Sequence, residues 1–128
     1  YREPDLKHNE IMKEIVIPLP KEKSFQKFFK RGSRKALTLS RLSLGFYTEV
    51  ENGVIWEIRA AAGSMSPIPL RLSGLESALK MKRLTPELAE EAAAVAYDEV
   101  NPRKSPEWRK RMTSNLVKSF LKELMEEK

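Results

Sequence analysis

Apolar residues alternate with polar ones in the first half of the chain and recur at three- and four-residue intervals in the second. Strands are therefore predicted first and helices after. "IMKEIVIP" (Ile11–Pro18) is rich in β-branched residues, with Ile11, Ile15 and Ile17 on one parity and Pro18 closing it. "FQKFFKR" predicts a further strand, although its aromatics occupy both parities. Thr38–Glu51 and Val54–Ala62 flank Asn52-Gly53, a dipeptide suited to the positive φ angles of a two-residue turn, so a long antiparallel hairpin is expected. Phe46 and Val50 fall on one face of that hairpin and Tyr47, Trp56 and Ile58 on the other. Periodicity therefore leaves the core face open.

Helix start signals punctuate the second half. "SGLE" (Ser73–Glu76) has the spacing of a capping box and predicts a short helix ending near Lys82. Thr85, Pro86 and Glu87 supply an N-cap, a first-position proline and a first-turn acid, and Leu88, Ala92, Val95, Ala96 and Val100 trace the apolar stripe that follows. Ser105, Pro106 and Glu107 repeat the signal ahead of a stripe of Trp108, Met112, Leu116, Phe120 and Leu124. Strands followed by helices predict an α+β fold, a small antiparallel sheet of three or four strands packed against about three helices. Residues 1–128 read as a single domain.

Composition narrows the chemistry. With 41% hydrophobic and 33% charged residues the chain has the balance of a soluble globular domain, and no apolar run approaches the ~18–20 residues of a membrane span. The opening "YREPDLKHNE" has no apolar signal-peptide core and no Met, which reads as a piece cut at a domain boundary. No cysteine is present, so disulfides, thiolate metal sites and a cysteine nucleophile drop out together. The single histidine, His8, lies in the polar lead-in and cannot build a metal site or activate a serine alone. No glycine-rich phosphate loop occurs. Glu90 and Glu91 point ~100° apart on a helix and share no site. The chain by itself does not read as a complete enzyme: no catalytic residue and no metal ligand is assigned.

Charge is local. Lys21, Lys23, Lys27, Lys30, Arg31, Arg34, Lys35 and Arg41 are interrupted by one acid, Glu22, so this segment nets +7 of a chain whose total is +6, and the remaining residues net −1. Phe25, Phe28 and Phe29 are interleaved with these bases. Three readings fit: a solvated strand face, a nucleic-acid surface with stacking aromatics, or a strand that offers one cation to a phosphate or polar cofactor group. "KRGSRK" lacks the glycine-aromatic signature of RNA-binding strands. Gly63 and the small residues Ala60–Ala62 precede Pro67-Ile-Pro69, which predicts either a rigid sheet-to-helix crossover or a loop beside a ligand or another domain.

Four phrases, in order, carry a family resemblance. "NEIMKEIVIPLP" is similar to the E-I-hydrophobic-x-x-I-x-I-P opening of the C-terminal domain in FAD-binding flavoprotein subunits of the xanthine dehydrogenase and carbon monoxide dehydrogenase family of molybdenum hydroxylases. "FFKRGSRKALTLSRLSLGF" resembles that domain's basic strand, "GSMSPIPLRLSGLESAL" its G-x-hydrophobic-x-P-x-P-x-R passage, and "SPEWRKRMTSNLVKSFLKEL" its closing helix. The resemblance runs from about Tyr1 to Leu124.

It implies a domain that closes over FAD bound chiefly by upstream domains absent from this sequence, so that none is expected to bind the fragment alone. It further implies a molybdopterin-binding large subunit and a [2Fe–2S] small subunit as partners, electrons passing from molybdenum and the Fe–S clusters to FAD and an acceptor, and a cytoplasmic location. Two positions match cofactor contacts: Met12 falls on an apolar residue that packs on the cofactor, and Lys30 on the flavin-contacting lysine. An acidic pair usual in the basic strand is replaced by Leu37 and Thr38, and Trp108 stands where tyrosine is usual. Two other readings are a free-standing nucleic-acid-binding α+β module and an interaction domain whose Arg31, Arg34 and Lys35 dock on an acidic subunit.

Overall fold

The computed structural model describes residues 5–34 and 39–127. Strands β1 (Ser24–Gly32), β2 (Ser40–Glu51), β3 (Val54–Gly63) and the two-residue β4 (Leu70–Arg71) form an antiparallel meander in chain order. Helices α1 (Ser73–Leu79), α2 (Pro86–Glu99) and α3 (Pro106–Glu126) follow. The α+β architecture expected from the sequence is the one observed. Lys35, Leu37 and Thr38 lie outside the described residues.

Asn52 and Gly53 take φ of 50° and 78°, the left-handed pair that the turn requires. The hairpin register nevertheless departs from a simple two-residue turn. Glu51 faces Val54 and Val50 faces Ile55, but Glu49 faces Glu57, so Trp56 is the extra residue of a bulge. That insertion reverses the parity of β3 beyond it. Ile58 therefore joins Phe46 in the core instead of sharing a face with Tyr47, as strict alternation had predicted.

One face of the sheet is closed. Leu42, Leu44, Phe46 and Thr48 of β2 and Ile58, Ala60 and Ala62 of β3 are buried. Phe120 of α3 stacks on Phe46 with ring centroids 4.2 Å apart at 11°, and Phe25 of β1 approaches Phe120 at 5.7 Å. Thr113, Leu116, Val117, Phe120, Leu121 and Leu124 form the buried side of α3, while Trp108 is 40% exposed and its ring lies under Arg41 at 5.3 Å.

Caps follow the sequence only in part. The Thr85 hydroxyl accepts from the Leu88 amide at 3.1 Å, as its position predicts. Ser105 sits at the N-cap of α3 with φ 50° and makes no side-chain cap. The Ser73–Glu76 capping box does not form, because Ser73 is already helical and Leu72 is the N-cap. Glu76 turns instead to the Ala60 amide (2.9 Å) and the Arg71 guanidinium (3.0 Å). The amides at the start of α1 are met by Glu99 from the end of α2, which accepts from Gly74 at 2.8 Å and from Leu75 at 2.9 Å. A carboxylate at the C-terminal end of its own helix is poorly placed, but at the N-terminal end of another it is well placed. Helix α1 ends at Leu79, three residues before the expected Lys82. Lys82 and its neighbours pair with the start of β3 instead: Ile55 donates to the Lys82 carbonyl at 2.9 Å, and Met81 donates to the Ile55 carbonyl at 2.7 Å.

The largest departure is the lead-in. Ile11–Pro18, expected as a strand, is irregular and has no strand partner among the described residues. Alternating side chains supply only the packing half of a strand; its amides and carbonyls need a neighbour as well. Pro18 and Pro20 remove two amides outright.

Because Glu99 joins α1 to α2, Glu99→Ala is expected to lower the stability of the domain by about 1 kcal/mol. Urea unfolding checks it, and an unchanged midpoint would show that the cap contributes nothing.

Candidate functional site on the open sheet face

The side of the sheet away from α3 carries the opposite parity. Its rows follow from the register: Lys30–Ser43–Gly63, Phe28–Gly45–Ala61–Arg71 and Gln26–Tyr47–Arg59. Small residues floor it. Gly45 and Ala61 sit at the bottom of a trough of about 800 Å³ whose lining includes Phe28, Tyr47, Arg59 and Arg71. A Cβ at Gly63 would lie 2.3 Å from the Ser43 hydroxyl, so the row bearing Lys30 is built with that space already filled. Gly45 differs: a Cβ there would meet only Phe28, at an ordinary 3.8 Å.

The carboxylates around this face are engaged. Glu49 accepts from Tyr47 at 2.6 Å and from Lys21 at 2.8 Å, and the Lys21 hydrogen bond, then the Tyr47 one, holds its carboxyl below the usual value. The bond to Glu49 pushes the Tyr47 phenol up. Glu57 is held down chiefly by Lys80 at 2.7 Å, with Arg59 at 3.4 Å a further contribution. Arg59 also lies 5.8 Å from the Tyr47 ring. Arg71 is raised by its bond to Glu76.

The basic segment therefore divides into residues with separate tasks. Lys21 and Lys27 are committed to Glu49 and to Glu123 of α3, the latter at 2.6 Å. Arg41 lies over Trp108. Lys30, Arg31 and Arg34 are exposed, and none of the ion pairs among the described residues uses them. The aromatics divide too. Phe25 and Phe29 pack against the core, whereas Phe28 is 68% exposed on the open face. Strand alternation sets this: Phe28 shares the parity of Lys30, and α3 covers the other one.

Lys30 stands on the open face of β1, and Met12 on the lead-in, where it is 71% exposed. The fold places them on different elements, and no hydrogen bond or ion pair joins them. Sequence reasoning missed the Gly45–Ala61 trough and the Tyr47–Arg59 wall. The shared parity of Gly45 and Tyr47 was a signal for them once the covered face was known. No group of three histidine, cysteine or acidic residues able to hold a metal occurs among the described residues, and no helix there is long and apolar enough to cross a membrane.

Residues 27–124 match the sequence model of the CO dehydrogenase flavoprotein C-terminal domain. The xanthine dehydrogenase FAD-binding subunit of Escherichia coli O157:H7 is 27% identical over 123 residues, which is 95% of this chain. The chain spans 42% of that relative's length. Among solved structures, carbon monoxide dehydrogenase from Hydrogenophaga pseudoflava superposes with a TM-score of 0.74 at 20% identity, over 80% of this chain and 37% of its own. Quinoline 2-oxidoreductase from Pseudomonas putida 86 gives 0.62 at 19% identity, over 82% and 36%. At these identities the two structures speak to the fold.

Two outcomes follow from the geometry of the face. Gly45→Ala is expected to leave the fold intact and raise stability by about 0.5–1 kcal/mol, since a strand glycine is entropically costly and the added methyl has room. A lower thermal midpoint would show that the floor is tighter than described. The Glu49 carboxyl is held below its ordinary 4.5, so the stability it contributes is present above that pH and lost as pH falls through the folded value. Glu49→Gln should therefore flatten the acid limb of a stability–pH curve, and an unaltered limb would remove Glu49 from that balance.

Proposed function

The chain belongs to the CO dehydrogenase flavoprotein C-terminal domain family, and on that premise we propose that it completes the FAD site of a xanthine dehydrogenase-type molybdenum hydroxylase. In this reading the FAD is held mainly by domains upstream in the same subunit. The chain itself is non-catalytic and also forms part of the interface with a molybdopterin-binding subunit and a [2Fe–2S] subunit.

An uncovered surface carries this reading. Ile11, Met12, Ile15, Val16, Ile17 and Leu19 are between 71% and 94% exposed. Burying a side chain of that size is worth about 1.5–3 kcal/mol, so a run of them left exposed, together with an open sheet face, fits a neighbour that covers apolar surface. The groups presented there suit a flavin. Met12 offers a polarisable thioether for packing, Lys30 an ammonium that no carboxylate among the described residues neutralises, and Gly45 and Ala61 a floor that lets a planar group approach.

Bound FAD would supply the redox chemistry, receiving electrons from the Fe–S clusters and passing them to an acceptor. The role of Lys30 is to hold positive charge beside the flavin's polar atoms and so favour the more negative state. Met12 and Phe28 would exclude water from the ring.

The test uses the whole FAD-binding subunit that contains this chain. Lys30→Ala should loosen FAD about tenfold or more, by loss of one charge-assisted contact, or shift the flavin's midpoint potential to a more negative value. Lys30→Arg should restore much of either effect. FAD retention on gel filtration and a spectroelectrochemical titration report the two quantities separately, and no change in either would remove Lys30 from the site.

A further inference from the structure

A second cavity, of about 380 Å³, lies between the β3–β4 connection and the start of α3, and shares no residue with the open-face trough. Ser64 and Ser66 line one side, and Asn101, Arg103, Lys104 and Arg109 the other. No carboxylate lines it. Glu107, the acid in the first turn of α3, accepts instead from the Tyr97 hydroxyl at 3.0 Å. Arg103, Lys104 and Arg109 enter none of the ion pairs among the described residues.

Arg109 supplies the second observation. Its Nη1 donates to the Ser64 carbonyl, fixing the guanidinium against the loop, yet its Nε is buried without a hydrogen-bond partner. A charged N–H withdrawn from water without an acceptor is costly, and that cost falls if an anion supplies one. The hydroxyls do not compete for the role of donor, since Ser64 already donates to the Ser40 carbonyl and Ser66 to the Ile68 carbonyl. The donors left over are the three bases and the exposed Asn101 amide.

We propose that this cavity binds a phosphate group through Arg103, Lys104 and Arg109. Three cations without a counter-charge match a dianion better than a single carboxylate. The planar fork of an arginine suits adjacent phosphate oxygens, while Lys104 adds a mobile point charge. The site does not depend on the flavin reading, because none of its residues is assigned to the cofactor.

Two probes separate the possible sources of the group: orthophosphate and adenosine diphosphate, each titrated into the full chain at low ionic strength. Chemical shifts of the Arg109 side-chain Nε–Hε resonance report occupancy, and calorimetry reports affinity. Response to both shows that the free group suffices, and response to the nucleotide alone shows that an esterified phosphate is required. Replacing Arg103 and Lys104 together by alanine should weaken binding by at least about tenfold, the loss of charge-assisted contacts. Lys122→Ala, an exposed base toward the other end of α3, should leave binding unchanged. Arg109→Lys keeps the charge and removes Nε, and should weaken binding with the fold retained by circular dichroism. Failure of both probes to bind, binding that survives the Arg103/Lys104 double change, or equal weakening by Lys122→Ala would each overturn the proposal.

Discussion

The stacked pair Phe46–Phe120 is the joint on which the arrangement depends. Its rings lie 4.2 Å apart and nearly parallel, and Phe25 closes on Phe120 from β1. Such contacts add about 0.5–1.5 kcal/mol beyond the apolar area they bury. Their larger effect is positional. They fix α3 on the face of the sheet that carries Leu42, Leu44 and Phe46, and period-two alternation then assigns every other side chain. Phe28, Lys30, Gly45 and Tyr47 go to the opposite face as a consequence. The candidate site is thus defined by where the core is.

Charge divides along the same line. Acidic side chains are largely spent on architecture: Glu76 and Glu99 satisfy backbone amides, Glu123 ties α3 to β1 through Lys27, and Glu49 and Glu57 hold bases at the sheet. Bases are in excess, and two groups of them enter none of the ion pairs among the described residues. One is the end of β1, with Lys30, Arg31 and Arg34. The other is the cavity at the start of α3, with Arg103, Lys104 and Arg109. A protein whose structural acids are already paired can offer its remaining cations to anions from outside, and both proposals draw on that surplus.

Much of the fold was legible because local signals agreed with the final packing. Asn52-Gly53, Thr85-Pro86 and the stripe from Leu116 to Leu124 each name their element through backbone stereochemistry or periodicity, and each is found in place. The signals that misled had a local rationale that a distant group overrode. Glu76 has capping-box spacing, but the Ala60 amide and Arg71 claim its carboxylate, and Glu99 takes over at α1. Ile58 has the wrong parity for the core until the bulge at Trp56 corrects it. Ile11–Pro18 has the pattern of a strand and no strand to pair with among the described residues. The site was legible in the same uneven way: the family resemblance singled out Met12 and Lys30, whereas it assigned no role to the trough floor or the Arg109 cavity, although Gly45, Ser64 and Arg109 lie within the matching phrases.

The sequence by itself determined the order and type of most elements, the turn at Asn52-Gly53 and the local excess of bases, because these rest on φ preference, side-chain periodicity and composition, which neighbours in the chain share. Only the tertiary structure decided which face of the hairpin is core, which of the described bases between Lys21 and Arg41 are spent on ion pairs and stacking, and that residues 64 and 109 meet. Those outcomes are set by contacts between residues far apart in the chain, and a contact of that kind has no period and no local signature to read.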